Sequence, residues 1–225
     1  MSDIKQRLAR GDTVVTVNLA GDNPDLMEPL RSFGADLAFI DCERTGIGID
    51  AATPMIRAAR ACGLPCVVRS PTAEPATLVQ FLDRKADGLV VPHVDTPEQA
   101  AAVVALTRYA CASAADRRLV IVQVETRKAV ECIDALAQVE GVDAFLVGPN
   151  DLAYDMMGRR GARTPEIEQA LDHVCARLQA AGRRFGMPSR IAELPLFRQR
   201  GCTLLYYPIE WLVESALGEL KSALR

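Results

Sequence analysis

The 225-residue sequence lacks the features that mark several classes of protein. It has no apolar run long enough to span a membrane and no apolar segment of secretory type near its start, so we expect a cytoplasmic protein. Acidic and basic residues are interspersed and sum to a net charge of −3, which leaves no basic face. Neither nucleic acid nor a membrane is therefore an expected partner.

The sequence also lacks a C-x-x-C pair, although it contains seven cysteines. Because they are scattered through apolar stretches, they are expected to be reduced core thiols rather than disulfides or zinc ligands. Cys42 lies between Asp41 and Glu43, whose charges disfavour a thiolate, so no cysteine nucleophile is expected.

Short β-rich segments alternate with helical segments along the whole chain. The predicted strands are 13–19, 36–41, 65–69, 88–92, 119–125, 143–148, 183–187 and 203–207. The predicted helices are 24–33, 53–61, 75–84, 96–109, 127–138, 165–181, 190–200 and 210–224. Eight such units, about 27 residues apart without a linker, predict one closed (β/α)8 barrel, a TIM barrel, over residues 1–225. An open doubly wound sheet is the alternative, but the turn at 20–24 lacks its usual G-x-G-x-x-G sequence.

Turn and capping residues mark the predicted helix boundaries. Helix starts are predicted at three Thr-Pro pairs, at residues 53–54, 96–97 and 164–165. Helix ends are predicted at Gly63, Gly141, Gly182 and Gly201. The last helix has an apolar stripe, which is more typical of a helix facing its own barrel than of an interface: Trp211, Leu212, Val213, Leu217 and Leu220.

Polar side chains concentrate at the carboxyl ends of the predicted strands, where barrel enzymes build their sites. These positions are Asp41, Glu43, Arg69, His93, Gln123, Glu125, Asn150 and Asp151. Alternation along the fifth strand directs Gln123 and Glu125 into the lumen. A buried carboxylate needs a partner. Glu125 and Asp151 could converge on a hard cation such as Mg2+ or Mn2+, or Glu125 could form a purely structural salt bridge with Arg69, and spacing alone favours neither.

The segment Gly148-Pro149-Asn150-Asp151 is a second candidate site element. A strand that ends in this sequence makes a tight turn whose exposed N–H groups can hold a carboxylate or a phosphate. The same residues are common in ordinary turns, so this pattern alone has little specificity.

Five segments together resemble the HpcH/HpaI family of metal-dependent (class II) pyruvate aldolases, which includes 2-dehydro-3-deoxyglucarate and 4-hydroxy-2-oxoheptanedioate aldolases. They are FIDCER (39–44), VVRS (67–70), LVVPHVDTPEQA (89–100), VQVETRKAV (122–130) and FLVGPNDLA (145–153). The resemblance implies that Glu125 and Asp151 bind Mg2+, Mn2+ or Co2+, and that Gln123 lies beside the ketone of a pyruvate-type or oxaloacetate-type substrate. It implies that Arg69 faces the keto oxygen and that the backbone of residues 148–151 receives the substrate carboxylate. It also implies a homo-oligomer in which the carboxyl-terminal end packs against a neighbour.

The chain departs from the family pattern at the acid/base residue. The family's Gly-Glu-His after the second strand is Cys42-Glu43-Arg44 here, and arginine stays protonated and cannot act as a general base. Asp41, the partner of the missing His, is retained. Glu43 is a candidate for the proton transfer, whereas His93 is more simply a packing or hydrogen-bonding residue. Asp83 matches an acidic family position but is equally well explained as a surface residue.

These observations predict a metal-dependent carbon–carbon lyase that acts on 2-keto acids, with Arg69, Asp41 and Glu43 as catalytic residues. Decarboxylation of oxaloacetate needs no base to deprotonate an alcohol, so we expect it to exceed retro-aldol cleavage. A Schiff-base aldolase is disfavoured, because none of the four lysines lies in a predicted strand. The missing His and a short connection at 110–118 leave two alternatives, a degenerate barrel that binds a keto acid or protein partner, and a citryl-CoA or malyl-CoA lyase.

Overall fold

Eight parallel strands close into a barrel in chain order in the computed structural model, which describes residues 4–161 and 163–224. The strands are β1 (Val14–Asn18), β2 (Leu37–Asp41), β3 (Cys66–Arg69), β4 (Gly88–Val91), β5 (Leu119–Val124), β6 (Ala144–Val147), β7 (Phe185–Pro188) and β8 (Leu204–Pro208). The barrel is completed where β1 pairs with β8, with Val14 opposite Leu204 and Asn18 opposite Pro208. The predicted (β/α)8 barrel is confirmed, and each strand lies where the apolar pattern predicted it.

The helices of the described residues form the outer layer and the connections. They are α1 (Ile4–Arg10), α2 (Met27–Ser32), α3 (Ile49–Cys62), α4 (Pro75–Asp83), α5 (Pro97–Cys111), α6 (Arg127–Glu131), α7 (Ile133–Ala137), α8 (Pro149–Met157), α9 (Pro165–Ala180), α10 (Leu194–Gln199) and α11 (Ile209–Ala223). Short 3-10 turns occupy Pro24–Leu26, Ala112–Arg117 and Ile191–Glu193. Helices α1 and α8 were not predicted, and the predicted helix at 127–138 is divided into α6 and α7.

The predicted start of α3 at residues 53–54 is wrong. Gly48 is the N-cap, and the helix begins at Ile49 with Pro54 inside it. Pro54 lacks the N–H that would donate to the Asp50 carbonyl, and beside it the Thr53 hydroxyl donates to the Ile49 carbonyl at 2.7 Å. The start of α5 is confirmed, since the Thr96 side chain and the Gln99 side chain form a reciprocal capping box.

Strand alternation sorts the apolar side chains into two layers. Val122 and Val124 of β5 belong to the large cluster between strands and helices, whereas Leu119 and Ile121 belong to a smaller cluster inside the barrel. Ile4 and Leu8 of α1 join that inner cluster at the amino-terminal end of the barrel. The lumen is therefore packed and closed below, and the polar side chains lie at the opposite end.

The apolar stripe of α11 is divided between two environments. Trp211 and Leu212 are half-buried, while Val213, Leu217 and Leu220 are 51%, 50% and 57% exposed. The helix therefore directs only part of the stripe at its own barrel: Leu212 packs against the core, whereas the three exposed side chains point outward. No helix among the described residues is long and apolar enough to cross a membrane.

Candidate active site

Asp41 and Arg69 form a buried ion pair at the carboxyl ends of β2 and β3. Arg69 Nε donates to Asp41 Oδ1 at 2.9 Å and Arg69 Nη2 donates to Asp41 Oδ2. The backbone N–H groups of Glu43 and Arg44 also donate to Asp41 Oδ1, each at 3.1 Å. Burial opposes ionisation of Asp41, but its hydrogen bonds and the Arg69 charge outweigh that effect and lower its pKa. Asp41 thus fixes both Arg69 and the loop that follows β2.

Glu125 lies directly after β5 in the lumen, as alternation predicted, and is 1% exposed. Its Oε1 accepts the backbone N–H of His93 at 2.8 Å, and its Oε2 accepts the side-chain amide of Gln123. Burial, together with the nearby charges of Glu43 and Asp151, raises the pKa of Glu125. Among the described residues, Arg69 forms ion pairs with Asp41 and Glu43 but not with Glu125. The alternative of a structural Arg69–Glu125 salt bridge is therefore wrong.

Gly148, at the end of β6, allows the backbone to pass close to Glu125. A Cβ atom at this position would lie 3.1 Å from Glu125 Cβ and 3.2 Å from Glu125 Oε2. Gly148 is the N-cap of α8, and Pro149 is its first residue. The N–H groups of Asn150 and Asp151 in the first turn therefore face the mouth of the barrel without intrahelical acceptors.

Asp151 is held by two arginines. Arg44 Nη2 donates to Asp151 Oδ1, and Arg160 Nη2 lies 3.1 Å from the same oxygen. Arg44 stands where the family pattern has a His, and its Nε atom lies 3.6 Å from Glu43 Oε1. The predicted metal ligand Asp151 thus has two cationic partners, and its ligation of a metal stays a prediction.

Glu43 and His93 converge on Glu125 from the loops that follow β2 and β4. His93 Nδ1 is 3.2 Å from Glu125 Oε1, and His93 Nε2 is 3.7 Å from Glu43 Oε1. One potential ligand atom from each of the three residues lies within 4.8 Å of the others. His93 has a φ of +56°, a left-handed conformation that is uncommon for residues other than glycine. The sequence placed His93 near the mouth but did not place it against Glu125.

An open cavity of about 360 Å3 lies beside these residues at the carboxyl end of the barrel. Every residue predicted to bind substrate lines it: Arg69, Gln123, Gly148, Pro149, Asn150 and Asp151. Arg44, Arg160, Tyr206 and Trp211 also line it, and sequence reasoning did not propose the last three. Burial raises the pKa of Tyr206 to about 12, and its hydroxyl accepts from Asn18 Nδ2 at 2.6 Å.

Two sequence features lie at the other end of the barrel. Asp83 is the last residue of α4 and is exposed. The short connection forms the 3-10 turn Ala112–Arg117 and enters the amino-terminal end of β5. Neither feature lies beside the cavity.

The residues around Glu125 fit a divalent cation. Asp41, Glu43 and Asp151 each have an arginine within 4 Å, whereas Glu125 has no lysine or arginine partner among the described residues. A buried carboxylate without a fixed counter-charge, beside a second carboxylate and an imidazole, is the chemistry of a metal site. Among the described residues no lysine lies in a strand or lines the cavity, since Lys5, Lys128 and Lys221 are in helices α1, α6 and α11 and Lys85 follows α4.

Comparisons with known proteins find relatives that cover most of this chain. The 5-keto-4-deoxy-D-glucarate aldolase of Citrobacter koseri is 30% identical over 224 aligned positions, which cover 89% of this chain and 85% of that protein. An HpcH/HpaI aldolase/citrate lyase family protein from Burkholderia cenocepacia J2315 superposes with a TM-score of 0.89 at 27% identity, over 100% of both chains. The citrate synthase SbnG superposes with a TM-score of 0.85 at 25% identity, over 98% of both chains.

The family profile covers most of the barrel. Residues 15–201 match HpcH/HpaI aldolase/citrate lyase, and the match includes Asp41, Arg69 and Glu125. The resemblance carried by the five sequence segments is therefore confirmed, and this chain belongs to the HpcH/HpaI aldolase/citrate lyase family.

Proposed function

We propose that this protein breaks the carbon–carbon bond β to the ketone of a small 2-keto acid, with a divalent cation held at Glu125. Membership of the family makes it a carbon–carbon lyase of the aldolase type. The observation that carries the finer proposal is the position of Glu125, a buried carboxylate without a fixed cation at the edge of a cavity lined by Arg69 and Gln123.

Different residues would bind the substrate carboxylate and stabilise charge on the keto oxygen. A divalent cation, when bound, would polarise the keto oxygen and so favour an enolate product. Arg69 is aimed into the cavity and held by Asp41, so its guanidinium can stabilise the charge that grows on that oxygen. Asp41 acts here as a positioning residue. The free N–H groups of Asn150 and Asp151 at the start of α8 suit the substrate carboxylate.

The acid/base residues favour decarboxylation over aldol cleavage. Arg44 stands at the family's His position and cannot accept a proton from a hydroxyl group. In oxaloacetate the C3–C4 bond breaks, carbon dioxide leaves, and the electron pair stays on C3 as an enolate that then takes a proton from water. That reaction requires Arg69 and the carboxylate pocket but no general base. Arg44 and Arg160 also add positive charge at the mouth, which suits a dicarboxylate.

The test compares two substrates on the wild-type protein with Mg2+, Mn2+ or Co2+. We expect oxaloacetate decarboxylation to be faster than cleavage of a 4-hydroxy-2-keto acid, and the reverse order would contradict the proposed reaction. Glu125→Gln should lower the decarboxylation rate by about 100-fold or more, because metal polarisation contributes several kcal/mol. Glu131→Gln, at an exposed carboxylate of α6, is the matched control and should leave the rate unchanged.

Proton exchange at the pyruvate methyl group separates an enzyme from a binding module. If the protein makes the enolate, the methyl signal of pyruvate in heavy water should decay in the presence of Mn2+ and protein. Binding of pyruvate without exchange would support the alternative of a degenerate barrel. The citryl-CoA or malyl-CoA lyase alternative predicts that the protein cleaves a coenzyme A thioester, and this substrate can be added to the same spectroscopic experiment.

Homo-oligomerisation and a cytoplasmic location remain parts of the proposal. The exposed side chains of Val213, Leu217 and Leu220 on α11 support association of copies through this helix. Replacing Leu217 and Leu220 with serine should lower the molar mass in sedimentation while the circular dichroism spectrum stays unchanged.

A further inference from the structure

We propose that Arg44 and Arg160 form a subsite for the second carboxylate of a dicarboxylic 2-keto acid, and that cation binding at Asp151 releases them for this role. The inference rests on the proposed function and names the class of substrate that the cavity selects. In the structure both guanidinium groups are paired with Asp151.

The first argument is that two guanidinium groups share one carboxylate oxygen. Arg44 Nη2 donates to Asp151 Oδ1, and Arg160 Nη2 lies 3.1 Å from the same atom. The two arginines come from different parts of the chain, the loop after β2 and the turn after α8, and meet only at this oxygen. Asp151 therefore holds both positive charges at the mouth of the cavity.

The second argument is that a divalent cation and these arginines compete for Asp151. The sequence predicts that Asp151 binds the cation together with Glu125, and positive charges a few ångströms apart repel each other. A cation bound to Asp151 would therefore displace the head groups of Arg44 and Arg160 from Oδ1. Both head groups can move, because the two side chains are 34% and 51% exposed.

The third argument is that both arginines have other contacts that keep them at the cavity when they leave Asp151. Arg44 Nε lies 3.6 Å from Glu43 Oε1, and the guanidinium group of Arg160 lies 5.6 Å from the centre of the Tyr154 ring. Both side chains line the cavity of about 360 Å3. Their free N–H groups can then form charge-assisted hydrogen bonds with another carboxylate.

The length of a small diacid fits this arrangement. The two carboxylate carbons of a four-carbon diacid are about 4 Å apart at most, since three carbon–carbon bonds of about 1.5 Å join them. An acid whose first carboxylate lies at the N–H groups of residues 150–151 therefore has its second carboxylate near the arginines that contact Asp151. This contact is made before any bond breaks, so it lowers the KM for the diacid rather than raising kcat.

The main alternative is that Arg44 and Arg160 are permanent partners of Asp151 with a purely structural role. In that case a second carboxylate on the ligand gains nothing from them, and removing either arginine does not favour cation binding. The two interpretations therefore differ in the binding of both ligands and cations, which can be measured without any reaction.

The experiment uses malate and lactate, two stable 2-hydroxy acids that differ only in the second carboxylate. Calorimetry measures the binding of Mn2+ to the protein and then of each acid to the Mn2+-loaded protein. The samples are the wild-type protein, Arg44→Met, Arg160→Met and the matched control Arg159→Met. Arg159 is exposed and is the chain neighbour of Arg160, but it is not one of the residues that line the cavity.

We expect the wild-type protein and Arg159→Met to bind malate about tenfold or more tightly than lactate, which is the gain that a hydrogen bond to a charged group provides. Arg44→Met and Arg160→Met should each reduce this preference by about threefold or more. Each should also bind Mn2+ about threefold more tightly than Arg159→Met does, because a competing positive charge has been removed from a partly exposed ion pair.

Different results overturn different claims. Equal binding of malate and lactate by the wild-type protein, or a preference that both variants keep, overturns the subsite and leaves the proposed function standing. Mn2+ binding that is no tighter in either variant than in Arg159→Met overturns the competition for Asp151. If the wild-type protein binds none of Mg2+, Mn2+ or Co2+, the proposed function and this inference are both overturned.

Discussion

Replacing Asp41 with asparagine should destabilise the protein by about 3 kcal/mol. The Asp41 side chain is 2% exposed and accepts from Arg69 and from two backbone N–H groups, so the change leaves a buried guanidinium without its principal counter-charge. Breaking a buried ion pair in this way costs about 3–5 kcal/mol. The lower end applies because Glu43 lies 3.1 Å from Arg69 Nη1 and supplies part of the missing charge.

The loss should depend on pH in a defined direction. The pKa of Asp41 is lowered in the folded protein, so its ionised form stabilises the fold at every pH above the ordinary aspartate pKa of about 3.9. That stabilisation disappears as the pH falls below this value and through the lower folded pKa. The difference between wild type and Asp41→Asn should therefore be constant from about pH 5 to pH 8 and shrink below about pH 4.

Urea denaturation followed by the fluorescence of Trp211, the only tryptophan, measures both effects. In a thermal scan followed by the same fluorescence, the melting temperature should fall by about 6–12 °C, since about 1 kcal/mol corresponds to about 2–4 °C for a chain of this length. Glu214→Gln is the control, because its ion pair with Arg190 is more than half exposed on both sides and should contribute less than about 1 kcal/mol. A loss below about 1 kcal/mol for Asp41→Asn, or a difference that persists at low pH, would refute the reasoning.

Three further predictions test the mouth of the barrel and its helices. Arg44→His places a group that can accept a proton beside the cavity. In steady-state assays it should raise the ratio of aldol cleavage to oxaloacetate decarboxylation by about tenfold or more. An unchanged ratio would contradict the role given to Arg44. Gly148→Ala should weaken Mn2+ binding, because the added Cβ would press on Glu125. Gly218→Ala is the control, since Gly218 has open space around it in α11: it should leave Mn2+ binding unchanged and stabilise the fold by about 0.5–1 kcal/mol. Thr96→Ala should cost about 1 kcal/mol in urea denaturation by removing the capping box, and Thr164→Ala should cost less because Thr164 makes no capping bond; equal losses would contradict the assignment.

The fold was largely readable from the sequence because each strand is a short apolar segment bounded by glycine, proline or charged residues. A closed parallel barrel then brings all strand ends to one rim, which is why Arg69, Gln123 and residues 148–151 could be predicted to share a site. Helix α8 was missed although Pro149 at its start and Gly158 at its end are typical boundary residues. Helix α1 has only Ile4 and Leu8 as buried residues, too few to give a clear helical period.

The pairing of charges within the site could not be predicted in the same way. Which carboxylate Arg69 selects depends on distances of a few ångströms between side chains on different strands, and linear spacing carries no such information. Asp41 lies opposite Arg69 in the register of β2 and β3, and this register is fixed only when the barrel closes. The position of His93 depends on a left-handed backbone that a histidine in the sequence does not indicate.

The first helix has a consequence for how molecules enter and leave. Since the side chains of Ile4 and Leu8 close the lower opening of the lumen, substrate, product and solvent must all exchange through the rim that carries Glu125. Residues in the lower half of the barrel do not contact substrate, so substitutions there change the stability of the fold rather than the reaction. A directed-evolution experiment should accordingly find substitutions that alter substrate choice only around the rim, and substitutions that alter heat resistance mainly below it.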